Sequence, residues 1–94
     1  MNVNFTPLAV EDLKSIRDWI SEDDERSADR ALSRIRQTAM MIGQFPLMGR
    51  RGLVPQTREF SVVGLPYLIV YRLASETDLD ILTIMHTRRR YPPE

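Results

Sequence analysis

The chain has no cysteine. That excludes a disulfide framework and a thiolate metal site, and fits a reducing compartment. It has one histidine, His86. A two-histidine acid–base mechanism therefore cannot be assembled within one copy. With carboxylates scattered at helix ends, no metal ligand set comes together and no cofactor is implied. It has one lysine, Lys14; the other basic residues are all arginine. Arginine's planar fork suits phosphate and carboxylate, although codon bias in a GC-rich genome is the simpler source of the excess. Net charge is zero, thirteen basic against thirteen acidic residues, so overall charge says nothing of nucleic acid. No apolar run approaches a membrane span, and no N-terminal stretch resembles a signal peptide. A cytoplasmic protein is expected. There is no Gly-x-Ser-x-Gly element, no Cys/His pair and no nucleotide-binding glycine loop.

What is present reads as one domain over residues 1–94. A chain of this size buries roughly 60–65% of its unfolded surface, enough for a single core. Val3-Asn4-Phe5 is a short strand candidate. Thr6-Pro7 reads as a helix N-cap followed by proline at the first helical position. Ala9, Leu13, Ile16 and Ile20 recur at helical spacing, with Trp19 beside them, which predicts a helix to about Ser21. The acids of Ser21–Glu25 suit the start of a second helix, whose stripe is Ala28, Ala31, Leu32, Ile35, Ala39 and Ile42, with Gly43 as its stop. So short a connection implies an antiparallel helical hairpin. Phe45–Gln56 has no period. Beyond it the period becomes two: Arg58, Phe60 and Val62 alternate with Glu59, Ser61 and Val63. Gly64-Leu65-Pro66 and Ser75–Asp78 read as turns that separate a dense β-branched and aromatic run, Tyr67–Leu73, from a last strand ending at Met85. The fold class predicted is α+β: a short N-terminal strand, an antiparallel helical hairpin, then a three-stranded antiparallel meander, β-α-α-β-β-β.

Three constellations bear on chemistry. The chain closes on His86-Thr87-Arg88-Arg89-Arg90-Tyr91-Pro92-Pro93. Metal-free RNA cleavage needs a base, cations and an acid. His86, Arg88, Arg89, Arg90 and Arg72, with Glu59 or Tyr91 as a second proton-transfer group, include those types; a solvated basic tail is the plainer alternative. Arg26, Arg30 and Arg34 recur every four residues on the second helix, either as an exposed face or as a patch awaiting an acidic partner. The loop Pro46-Leu47-Met48-Gly49-Arg50-Arg51-Gly52 offers glycines around two arginines, more as a shaped turn than as a phosphate cradle.

The succession "FTPLAVEDLKSIRDWI", a Pro-x-Met-Gly-Arg loop, "TREFSVV", "PYLIVYRL" and "LTIMHTRRRYP" resembles the RelE/ParE toxin superfamily of bacterial type II toxin–antitoxin modules over nearly the whole chain. The resemblance implies a hetero-oligomeric complex with a cognate, ParD-like antitoxin, which has a DNA-binding N-terminal portion and a C-terminal segment that is disordered when free and wraps the toxin. Residues expected to meet it are Arg26, Arg30, Arg34, Trp19 and Arg58. No membrane partner is expected.

Two activities run in the superfamily. RelE-type members cleave messenger RNA on the ribosome and carry basic residues on the first meander strand and an arginine early in the middle strand. Those places here hold Glu59 and Ser61, and then Leu68. A nuclease reading would rest on His86, Arg88 and Tyr91 alone. ParE-type members inhibit DNA gyrase without themselves catalysing a reaction, and "PYLIVYR" with the "H-x-x-x-R-Y-P" ending is similar to that branch. The resemblance thus implies a gyrase inhibitor whose target-binding residues are Arg72, His86, Arg88, Arg89, Arg90 and Tyr91. The alternatives are a RelE-type nuclease and a non-toxic remnant that only binds its antitoxin.

Overall fold

Thr6 ties the first helix to the last strand. Its Oγ1 accepts from the Ala9 amide at 3.2 Å, capping the helix, and its hydroxyl donates to the Leu82 carbonyl at 2.9 Å. The computed structural model describes residues 1–88. The order is β1 (Asn2–Phe5), α1 (Pro7–Ser21), α2 (Glu25–Gln44), β2 (Arg50–Arg51), β3 (Arg58–Ser61), β4 (Tyr67–Leu73) and β5 (Asp78–His86). The α+β class, the hairpin and the meander are as the sequence predicts. Pro7 opens α1, and Asp24 caps α2 by accepting from the Arg26 amide at 3.0 Å. An exposed Arg17–Asp29 ion pair at 2.8 Å bridges the two helices.

Two details differ from the sequence reading. Gly43 does not stop α2: it is buried within the last turn, where a Cβ would lie 2.5 Å from Val3 Cγ2. The aperiodic loop contains a two-residue strand, β2, too short to leave a period in the sequence. Trp19, expected beside the apolar stripe as a contact residue, stands outside the core, 71% exposed.

The five strands lie in the order β1-β5-β4-β3-β2, with β1 parallel to β5 and the other pairs antiparallel. Ile16 of α1 and Leu32, Ile35, Ala39 and Ile42 of α2 pack on one face of this sheet, against Tyr67, Ile69, Tyr71, Leu79, Ile81 and Ile84. The pairing of β4 with β5 slips once. Val70 faces Thr83 but Tyr71 faces Ile81, leaving Leu82 as an extra residue. Such a bulge re-aims the side chains that follow it. Strict alternation from Leu79 and Ile81 would send Thr83 and Met85 toward the helices. The slip sends Ile84 and His86 there instead, and this positions the site.

Candidate functional site

His86 lies opposite Tyr67, and the two rings meet edge to face, with centroids 5.7 Å apart and planes at 81°. The Arg88 amide donates to His86 Nδ1 at 3.1 Å. This bond fixes the ring and assigns the proton of the neutral imidazole to Nε2. Burial raises the Tyr67 phenol above its ordinary range. Around the two rings, α1 and the end of the sheet enclose a groove of about 480 Å³, lined by Asp12, Ser15, Ile16, Trp19, Tyr67, Ile84, Met85, His86 and Arg88. Of the residues that line it, Ile16, Tyr67 and Ile84 are buried, and Trp19 and Arg88 are exposed.

Asp12 holds the groove's two sides together. Its carboxylate accepts from the Ile84 amide at 3.0 Å and from the Thr83 hydroxyl. Reading the sequence for site residues misses Asp12, Ser15 and Tyr67. Asp12 did leave a signal: it falls between Ala9 and Ile16 on the inward stripe, where an acid needs a partner.

The sequence-predicted residues separate into distinct places. His86 and Arg88 belong to the groove. Trp19 joins them rather than the arginines of α2, so the structure does not gather the expected antitoxin contacts into one patch. Arg26, Arg30 and Arg34 are exposed on α2; Arg30 donates to Ser27 Oγ at 3.1 Å and Arg34 to the Val63 carbonyl at 3.2 Å. Arg72 lies at the opposite end of β4, 3.4 Å from the Asp80 carboxylate, and is not brought to His86. Arg89, Arg90 and Tyr91 lie outside the described residues.

Arg58 and Glu59 are engaged in holding the β2 loop. Arg58 Nη1 donates to the Gly49 carbonyl at 2.7 Å, and Arg50 Nε donates to Glu59 Oε1 at 2.7 Å. From the next strand the Tyr71 hydroxyl donates to the Pro46 carbonyl at 2.8 Å and accepts from the Gly49 amide at 2.9 Å. A Cβ at Gly49 would lie 2.5 Å from that hydroxyl, so glycine is required there. Among the described residues no group of three or more metal-binding side chains assembles. No helix among them is long and apolar enough to cross a membrane.

The chain is similar to known proteins over nearly its whole length. The family described as "ParE toxin of type II toxin-antitoxin system, parDE" matches residues 3–91. A protein of Sinorhizobium fredii named "Putative toxin Y4kP" is 33% identical over 90 residues, covering 96% of this chain and 92% of that protein. Among solved structures, the chromosomal ParDE TA system from P. aeruginosa contains a chain 24% identical to this one, with a TM-score of 0.82, covering 92% of this chain and 95% of its own. The intact E. coli RelBE toxin–antitoxin complex contains a chain 10% identical, with a TM-score of 0.63, covering 94% and 98%. Both structural likenesses are of fold.

Proposed function

This chain belongs to the ParE toxin family of type II toxin–antitoxin systems, and on that premise we propose that it arrests growth by binding DNA gyrase in the cytoplasm. A ParD-like antitoxin neutralises it. The observation that carries this reading is the fate of the positions where RelE-type members resemble one another in carrying cations. Glu59 stands at one, buried and paired with Arg50. Leu68 stands at another. Arg58 is spent on the Gly49 carbonyl, and Arg72 sits beside Asp80 at the far end of its strand. Stabilising the charge that develops in phosphoryl transfer is typically the largest catalytic term, and one lost donor costs roughly 3–4 kcal/mol. His86 and Arg88 have little such help among the described residues. The same two side chains, held at the end of a sheet beside an exposed indole, suit gripping a macromolecule. Aromatic and arginine side chains are the usual anchors of such contacts.

A supercoiling assay with purified toxin and gyrase tests the proposal. Inhibition with accumulation of cleaved DNA is expected at micromolar toxin; unimpaired supercoiling would sink it. The RelE-type alternative makes a separate prediction, new cleavage sites on ribosome-bound message mapped by primer extension after induction. Normal growth on expression without antitoxin would mark a remnant.

A further inference from the structure

The neutral chain carries its charge unevenly. Residues 30–58 hold six arginines, Arg30, Arg34, Arg36, Arg50, Arg51 and Arg58, and no acidic residue. Three of the six stand on the hairpin of β2 and β3, at the edge of the sheet farthest from β1. Arg50 is engaged by Glu59. Arg51 is exposed, faces Arg58 across the two strands, and has no ion pair among the described residues. Like charges directly opposite each other in a sheet are destabilising, and an anion beside them removes that cost. The tip between the strands has a second peculiarity. Turns ordinarily take small and polar residues, yet Leu53 is 70% exposed, Val54 and Pro55 are exposed beside it, and none of the three belongs to the core. The tip is held in one shape. The Thr57 amide and hydroxyl both donate to the Val54 carbonyl, at 3.2 and 2.6 Å, and the Gly52 amide donates to the Thr57 carbonyl at 2.8 Å. Pro55 stands second in this turn and Gln56 third, at a φ of 66°, the arrangement of a type II turn. A Cβ at Gly52 would run into the Thr57 hydroxyl.

Cations flanking an apolar ridge are a means of entering the minor groove of DNA. The cations meet phosphates, and the apolar side chains press between base steps and partly unstack them. We propose that the β2–β3 hairpin is such a wedge, and that it engages the duplex DNA held by gyrase, which rests on the gyrase reading above. Arg51 meets a phosphate, and Leu53 and Val54 enter the groove. Leu53 lies two residues beyond Arg51, about 6–7 Å of extended chain, close to the minor-groove depth of about 7.5 Å. An acidic peptide suits the hairpin less well. β2 is two residues long, too short to pair with an added strand, and a ridge offers a peptide no concave seat. The hairpin also lies away from the groove. Arg58 stands opposite Tyr71, whereas His86 stands opposite Tyr67, at the other end of β4. The enzyme at the groove and its DNA at the hairpin are therefore contacted together, without competing for one surface.

An A·T-rich duplex with a fluorescent end label and internal 2-aminopurine reports both halves of the wedge. With purified toxin and no gyrase, at about 50 mM salt, anisotropy rises at micromolar toxin and 2-aminopurine emission rises as base steps unstack. Arg51→Ala weakens binding about fivefold or more and makes the dependence of log K on log salt shallower by about one phosphate contact. Leu53→Ala keeps the salt dependence and loses most of the emission rise. Lys14→Ala, which removes one positive charge from α1, binds within about twofold of wild type. Matching melting curves verify that the variants fold. In the supercoiling assay, the double variant Arg51→Ala, Leu53→Ala raises the half-inhibitory toxin concentration about tenfold. Absence of duplex binding, or binding and emission that Arg51→Ala and Leu53→Ala leave unchanged, overturns the wedge, while inhibition of gyrase by the wild type keeps the gyrase reading. Binding of a polyglutamate peptide through Arg51, with none of the duplex, overturns it in favour of an acidic polypeptide. A wild type that binds and unstacks the duplex yet leaves supercoiling unimpaired overturns the gyrase reading and leaves the hairpin's contact with DNA standing.

Discussion

Arg50 and Glu59 face each other across β2 and β3, and their 2.7 Å ion pair is lopsided: the Arg50 side chain is 75% exposed and that of Glu59 only 7%. A buried carboxylate stripped of its cation is costly, although solvent on the arginine side screens part of the loss. Arg50→Ala is expected to lower stability by about 1–2 kcal/mol, read as a lower urea midpoint at unchanged slope. Adding Glu59→Gln should restore part of it by removing the uncompensated charge. An Arg50→Ala midpoint equal to wild type would make the pair a mere surface contact.

Tyr71 anchors the same loop from β4, and it titrates. Burial raises its phenol above the ordinary 10.0, outweighing the Gly49 amide and the Arg58 charge, which act the other way. A tyrosine whose folded value is raised holds its proton in the folded state at pH values where the unfolded chain has lost it. Its contribution is complete below the unfolded value and is lost as pH rises through the folded one. Thermal melts should therefore show wild-type stability falling above about pH 10, with a shallower fall for Tyr71→Phe. At neutral pH, Tyr71→Phe should cost about 1–3 kcal/mol, because it strands the Gly49 amide and the Pro46 carbonyl. Parallel alkaline slopes for the two proteins would contradict the assignment.

Much of this architecture was legible in the chain, for physical reasons that differ by element. The stripe Ala28, Ala31, Leu32, Ile35, Ala39 and Ile42 has helical spacing because one face of α2 is buried, and Thr6-Pro7 announces a helix start by chemistry local to those residues. Local rules could not show the bulge at Leu82. It is a relation between strands, and it alone puts His86 on the helix side. Nor could they show Asp12 reaching the Ile84 amide, 72 residues away. Trp19 sits beside an apolar stripe in sequence, yet the helix turns it out.

The stripe itself makes a simple test. Ile35 is fully buried in the cluster that joins both helices to the sheet. Ile35→Ala should cost about 2–5 kcal/mol, a large part of the total for a domain of this size. Ile35→Asp, which adds a buried charge, should prevent folding altogether. Cooperative melting of Ile35→Asp near the wild-type temperature would contradict the packing described.

The two ends of the sheet make the sharpest functional contrast. Arg88 lies at the groove beside His86, whereas Arg72 lies beside Asp80, about 17 Å away along β4. If the groove end grips gyrase, Arg88→Ala removes a charge-assisted contact of about 1.5–3 kcal/mol. That raises the toxin concentration needed for half-inhibition of supercoiling by roughly tenfold or more. Arg72→Ala should leave inhibition within about twofold of wild type, because its charge is already engaged and distant. Both side chains are exposed enough to leave the fold intact, which matching melting curves would verify. Equal losses in the two variants would point to nonspecific attraction by positive charge rather than recognition at one end of the sheet. A loss confined to Arg72→Ala would move the target site to the opposite end.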